Sequence, residues 1–352
     1  MPPLEEPLNP SPKQKSGLPL ATPRNCTFST GDWSVLASFW YPVARLCDIL
    51  DKPLAIRLLD QEIVLYRTGK GVTATADLCI HRGAPLSMGR IRGEHISCAY
   101  HGYCYDAAGM CVKVPAHPEA PIPGKLQLRV FRSEERYGLL WVCLDPDSSS
   151  AIPPYPEAES PGYQMVNVPP LGWKAAAGRQ IESFCDVAHF AFVHESTFAA
   201  ASPEVPRYTV DATDYGLHAD FTSNVGNVSD PGAANQSWRR VYDVHVPFTA
   251  HLVIHFPGKG HMAILNAASP RSARETTVFA VVTRDFDLAE PVEELIEFQK
   301  RIYAEDQAIV ERQNPEDLPL ELSEEVHVRA DLTSVTYRQQ LGRRGLGKSY
   351  TS

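Results

Sequence analysis

The sequence predicts an α+β protein of two domains: a small all-β domain over residues 36–150, then a larger domain of strands and helices over residues 151–345. Three observations carry this prediction. Two Cys/His pairs, Cys79-Ile80-His81 and Cys98-Ala99-Tyr100-His101, sit among short strand-like runs in the first third of the chain. A stretch rich in Pro and Ser, from Asp145 to Pro161, marks a boundary. Beyond it, a second His pair, His189 and His194, is followed far downstream by an amphipathic helix with a carboxylate in its apolar stripe. At 352 residues the chain has material for a core in each domain.

The first domain reads as short strands broken by Pro and Asp. Ala55–Leu59 and Ile63–Arg67 flank Asp60-Gln61-Glu62 and predict a hairpin, and Ile96–Cys98 and Leu139–Leu144 predict further strands. Asp106 and Gly109 predict a turn. The Cys/His pairs then fall on two hairpin tips. Zinc accepts two thiolates and two imidazoles, but zinc modules usually pair Cys with Cys and His with His. Here each short loop offers one of each, with sixteen residues between His81 and Cys98. That suits a two-iron cluster in which one iron takes both thiolates and the other both imidazoles.

In the second domain, Asp186-Val187-Ala188-His189 through His194 gives D-x2-H-x4-H. Residues five apart on a straight helix lie about 140° apart, so the two His converge on one ion only if the helix ends or bends between them. Strands are expected between residues 207 and 290, including Val244–Phe256 and Thr276–Thr283, and a helix from Pro291 to Gln313. Val292, Leu295, Ile296, Phe298, Ile302, Tyr303, Ile309 and Val310 form its apolar face, with Asp306 near the middle and Glu305 about 100° away toward solvent. A carboxylate in an apolar stripe is costly unless paired or metal-bound. Two His and one carboxylate are the facial triad of non-haem iron sites, so Asp306 is expected to join His189 and His194; a buried salt bridge is the alternative.

The loops Cys-Ile-His-Arg-Gly and Cys-Ala-Tyr-His-Gly, and the stretch from Glu182 to His194, closely resemble the α subunits of Rieske non-haem iron oxygenases, over roughly residues 36–340. Length and C-terminal pattern are similar to the monooxygenase and demethylase branch. Glu195-Ser196-Thr197-Phe198 and Val326 to Asp331 resemble purine-alkaloid N-demethylases and the oxygenases of saxitoxin-type alkaloids. The resemblance implies a Rieske [2Fe-2S] cluster held by Cys79, His81, Cys98 and His101, a helix-grip catalytic domain, and a mononuclear Fe(II) at His189, His194 and Asp306. It implies O2 as co-substrate, and NAD(P)H electrons arriving through a separate reductase, with or without a ferredoxin. It also implies a homotrimer in which Asp186 bridges His189 to the neighbouring cluster. The implied activity is hydroxylation of a small aromatic or heterocyclic substrate with N- or O-dealkylation; cis-dihydroxylation of an arene, or C–H hydroxylation alone, is the alternative. One departure is Ser183, where many relatives carry Asn. Phe184, Phe190, Phe198, Val246, Phe248, Leu252, Ile254 and Ile302 are expected around the substrate.

Composition fits this reading. An apolar share of 43% and a charged share of 21% describe an ordinary globular chain. No apolar run reaches 18 residues, so no membrane span is expected. A net charge of −9 argues against nucleic acid. Residues 36–145 hold 13 Lys and Arg against 11 Asp and Glu, so the acidic excess lies elsewhere. Arg82, Arg90 and Arg92 could form a basic rim for an acidic electron donor, or be ordinary solvated side chains. Met1–Arg24 lacks an apolar leader segment and is expected as a poorly ordered tail, with residues 1–35 the lead-in. The six remaining cysteines are expected as free thiols in the cytoplasm. An electron-carrying ferredoxin needs only about a hundred residues and would leave the second metal motif unexplained.

Overall fold

The computed structural model describes residues 21–197, 203–224 and 237–347. Most of the expected tail and Phe198 lie outside those residues. The lead-in holds a helix, Thr30–Leu36, whose Ser29 Oγ accepts from Asp32 N at 3.1 Å. Seven residues are too few for a periodic signal, which is why the sequence did not announce it. Its Trp33 is buried and donates to Leu59 O at 2.8 Å.

The first domain is a six-stranded antiparallel sheet with a four-stranded one beside it. The larger runs Tyr41–Arg45, Leu139–Cys143, Val130–Arg136, Gly71–Ala76, Gln61–Thr68 and Leu54–Leu58 in spatial order. The smaller is Arg90–Arg92, His95–Ser97, Cys104–Tyr105 and Cys111–Lys113. The predicted hairpin closes tighter than expected. Leu58 pairs with Gln61, and Leu59 and Asp60 make the turn at φ of 50° and 62°. That turn docks on the second domain: Leu59 N and Asp60 N donate to Pro270 O and Arg271 O at 2.8 and 2.9 Å.

The Pro- and Ser-rich boundary is packed rather than loose. Ile152 and Tyr155 are buried, and the Tyr155 hydroxyl reaches Ala263 O at 2.8 Å. The second domain is an eight-stranded antiparallel sheet: Gln164–Asn167, Glu275–Arg284, Gly260–Ser272, Thr249–Phe256, Ser237–His245, Gly216–Asn224 and Thr209–Ala212 in order, with Leu171–Trp173 also on Glu275–Arg284. The strand expected over Val244–Phe256 is two strands joined by a turn, in which His245 pairs with Thr249. Pro247 has no N–H for a ladder, so the chain turns there. Val246 and Phe248 therefore leave the face that carries Leu252 and Ile254, which corrects the expectation that all four surround the substrate.

The helix Val292–Val310 crosses this sheet and buries Leu295, Gln299, Tyr303, Asp306 and Val310. Ile309, expected on the apolar face, is 56% exposed, and Gln299 takes a place in the stripe. Tyr303 donates to Asn266 Oδ1 at 2.9 Å, and Asn266 donates to Gln180 Oε1 at 3.0 Å, so buried polar bonds tie this helix to the sheet and to helix Ala177–Cys185. A second tie is ionic. Arg338, on helix Leu332–Arg343, grips Glu182 through Nε at 2.6 Å and Nη2 at 2.9 Å. Arg179 also reaches Glu182, at a longer 3.4 Å, and Glu325, so removing Arg338 leaves two carboxylates on one arginine and their charge largely unmet. Arg338→Met is expected to cost about 3–5 kcal/mol of stability, read from the shift in a denaturant midpoint.

Candidate functional site

The two Cys/His loops share one backbone plan. Gly83 N donates to Cys79 O at 2.9 Å, and Gly102 N donates to Cys98 O at 3.1 Å. Both glycines are left-handed, at φ of 73° and 70°, which lets each loop fold back over its cysteine. Cys79 N and Cys98 N in turn donate to Ala84 O and Tyr103 O. Both thiols are buried; Tyr105 OH lies 3.2 Å from Cys79 Sγ, and Tyr100 N donates to Cys98 Sγ at 3.5 Å. The His81 and His101 rings meet edge-on at 4.6 Å, and His81 stacks on Tyr103 at 4.4 Å. His81 Nδ1 is covered yet has no hydrogen-bond partner. A buried lone pair left so is what a metal ligand presents. Among the described residues, the four do not form a tight single-ion set. Two thiolates and two imidazoles around a wider space fit a two-iron cluster better than zinc.

The triad sits where helix Ala177–Cys185 stops. Asp186 turns the chain extended, and a single helical turn, Phe190–Val193, follows with His189 and His194 at its two ends. This is the bend that the five-residue spacing required. His189 Nε2 and His194 Nε2 lie 3.1 Å apart, and Asp306 Oδ1 lies 3.3 Å from the first and 3.1 Å from the second. The other ring nitrogens are held by carboxylates: His189 Nδ1 to Asp186 Oδ2 at 3.0 Å, His194 Nδ1 to Glu305 Oε2 at 2.7 Å. With each Nδ1–H donated, both Nε2 lone pairs face Asp306. Asp306 Oδ1 is itself buried without a hydrogen-bond partner. Three lone-pair atoms aimed at one point need a cation.

Bond lengths of about 2.1 Å put ligand atoms about 3.0 Å apart on an octahedral face and about 3.4 Å apart on a tetrahedral one. The observed edges lie between, so the donor set rather than the spacing selects the metal. Two imidazoles and one carboxylate, with a side left open, are the iron arrangement. The local field agrees. Burial disfavours charge on His189, but the neighbouring carboxylates of Asp186 and Asp306 outweigh it and push the imidazole up to about 9, so this point favours a positive charge. Burial also opposes the Asp306 charge, and the two imidazoles overcome it and hold its carboxyl below the usual range.

Glu305 corrects an expectation. Read as facing solvent, it instead holds His194 and also accepts from Thr197 Oγ1. His194 comes to it from another element, a contact that helical spacing alone cannot reveal. The triad opens on a cavity of about 240 Å3. Phe184, Phe190, Leu252, Ile254 and Ile302 line it as the sequence suggested; Val246 and Phe248 line a separate cavity beside Trp40 and Tyr215. Trp238, Arg240 and Tyr242, alternate residues of the neighbouring strand, also line it and were missed. Their signal in the sequence is the alternation W-x-R-x-Y on Ser237–His245. A second cavity of about 270 Å3 reaches Asp186, His189 and Asp306 from the other side, with His327 and Glu325 in its wall.

The sequence matches the model of the Rieske [2Fe-2S] domain over residues 39–132 and that of the vanillate O-demethylase oxygenase C-terminal domain over residues 173–345. It is 34% identical over 319 residues to methylxanthine N1-demethylase NdmA of Pseudomonas putida, covering 87% of this chain and 88% of that one. It is 30% identical over 324 residues to methylxanthine N3-demethylase NdmB of the same organism, covering 88% and 89%. The structure of NdmA from Pseudomonas putida CBB5 with caffeine overlays with a TM-score of 0.82 at 30% identity, covering 92% and 95%. No helix among the described residues is long and apolar enough to cross a membrane. With both domains matched and a relative 34% identical over most of both chains, the chain belongs to the Rieske non-haem iron monooxygenases, whose cofactors are a [2Fe-2S] cluster and a mononuclear iron.

Proposed function

We propose that this chain is the terminal oxygenase of a multi-protein system that removes a methyl or other small alkyl group from N or O of a small aromatic or heterocyclic substrate. Cys79, His81, Cys98 and His101 hold the cluster, and His189, His194 and Asp306 hold the iron. The observation that carries the reading is the triad of bare ligand atoms opening on an apolar cavity of small-molecule size. The relatives named as methylxanthine demethylases support an N-methyl heterocycle as the first substrate class to try.

Bound at the triad, iron supplies activation of O2, using electrons that a separate reductase takes from NAD(P)H and the cluster relays. The chain's own residues position and shield. Asp186 and Glu305 fix the two imidazoles by taking their Nδ1 protons in hydrogen bonds. Phe184, Phe190, Leu252, Ile254 and Ile302 exclude water and hold a flat substrate with its alkyl carbon toward the triad. One oxygen atom of O2 enters a C–H bond and the other leaves as water; a hydroxylated carbon on N or O then departs as aldehyde.

The working unit is a homotrimer in the cytoplasm, with each cluster feeding the iron of the next copy. Every residue lining the two cavities at the triad lies between 179 and 338, so neither is walled by the same chain's cluster loops. Leu78, Ile80, Met88 and Tyr100 stand exposed at those loops, while Phe192, Ile309 and Val326 stand exposed on the catalytic domain near Asp186. Matched apolar faces of this kind suit subunit contact. The test is turnover with NADH and a reductase over a panel of N-methyl, O-methyl and unsubstituted arene compounds. Aldehyde from methyl compounds is expected, and dihydrodiol from the arenes with no aldehyde would overturn the reading.

A further inference from the structure

We propose that Trp238, Arg240 and Tyr242 form a row of hydrogen-bond donors that selects substrates carrying acceptor atoms, a carboxylate or ring carbonyls, on the edge turned to this strand. The proposal rests on the cavity being the substrate site and names what that site accepts.

The three residues alternate along Ser237–His245, so they share one face of the strand, and all three line the cavity. Residues at the intervening parity point the other way: Arg239, inside the row, pairs with Asp220, and Asp243, just past it, with His218 at 2.9 Å. Trp238 is 8% exposed and Tyr242 is 1% exposed. Neither the Trp238 Nε1–H nor the Tyr242 hydroxyl has a hydrogen-bond partner among the described residues. The other such atom bordering this cavity is Asp306 Oδ1, the one aimed at the metal position. Among the described residues that line this cavity, the polar atoms without a partner thus belong to Asp306, at the metal position, and to this strand.

The chemistry of the row is one-sided. An indole N–H can only donate, and so can a guanidinium. Burial pushes the Tyr242 phenol well above its ordinary value, so it keeps its proton and donates. The Arg240 guanidinium lies 5.6 Å from the Phe190 and Trp238 ring centres, which places its charge against the same wall. Leu252 and Ile254, the cross-strand neighbours of Tyr242 and Arg240, and Ile302 on the helix are apolar and offer no side-chain acceptor. A ligand that enters without acceptors leaves the Trp238 Nε1–H and the Tyr242 hydroxyl unmet, and sites built this way discriminate strongly against such ligands.

The test uses the iron-loaded full chain and three probes: 4-methoxybenzoate, a carboxylate; 1,3-dimethyluracil, a neutral dicarbonyl; and 4-methylanisole, flat and poor in acceptors. Affinity is measured by titration calorimetry without reductase. At least one acceptor-bearing probe is expected to bind about 10-fold or more tighter than 4-methylanisole, and Trp238→Phe and Tyr242→Phe each to remove most of that margin. Both variants keep the ring packing, and iron content with the far-ultraviolet spectrum checks their folding. The ratio of the two acceptor affinities separates a carboxylate reader from a carbonyl reader. The proposal is overturned if no acceptor-bearing probe outbinds 4-methylanisole, or if both Phe variants keep the margin. Formaldehyde release under reducing conditions is scored separately. Binding that follows the row without formaldehyde sinks the dealkylation reading alone, and formaldehyde with an unchanged margin sinks the donor row alone.

Discussion

Asp306→Ala, His189→Ala and His194→Ala are each expected to lose the mononuclear iron, and with it more than about 100-fold of turnover, while the visible spectrum of the cluster stays normal. The three ligand atoms lie 3.1–3.3 Å apart, and Asp306 Oδ1 has no other partner. Losing one donor leaves two, too few to hold the ion against solvent. The cluster should be untouched because its loops share no residue with either cavity at the triad. Glu305→Gln gives the graded control. It leaves all three ligands and disturbs only the bond that holds His194, so iron affinity should fall by about 10–100-fold rather than vanish. Iron per chain, by metal analysis after desalting, is the readout. Full iron in Asp306→Ala, with none in Glu305→Ala, would transfer the ligand role to the neighbour.

Asp186→Asn is expected to keep both metals and lose about 100-fold in the rate at which a reduced cluster is oxidised by substrate and O2. Both Asp186 oxygens act as acceptors: Oδ2 from His189 Nδ1 and Oδ1 from Ala188 N at 2.9 Å. An amide has one acceptor and one donor, so it can serve only one of these and must turn its NH2 on the other. Asp186 also lines the second cavity, where a neighbouring cluster is proposed to dock, and its side chain is 30% exposed there. Single-turnover kinetics of the chemically reduced protein measure the step directly. A near-normal rate would mean that the electron takes another path.

The candidate ligand sets were legible in the sequence because metal chemistry restricts residue type and spacing together. Cys79 to His101 needs two short loops, and His189 and His194 could converge only if the helix broke, which it does at Asp186. Asp306 was legible because a carboxylate in an apolar helical stripe demands a partner. What the sequence did not disclose depends on contacts between distant elements. Glu305 reaches His194 from a helix more than a hundred positions away, and no periodicity encodes that meeting. The strand expected over Val244–Phe256 breaks at Pro247, whose missing N–H ends a ladder. The break sends Val246 and Phe248 to a separate cavity and leaves Trp238, Arg240 and Tyr242, on the strand before it, beside Leu252 and Ile254.

The most direct test of the account is one turnover of the fully loaded, chemically reduced protein under 18O2 with an N-methyl or O-methyl substrate, followed by product mass. Release of an aldehyde with the dealkylated amine or phenol, and no product bearing two labelled atoms, is the predicted result. A cis-diol carrying two labelled oxygen atoms would contradict it.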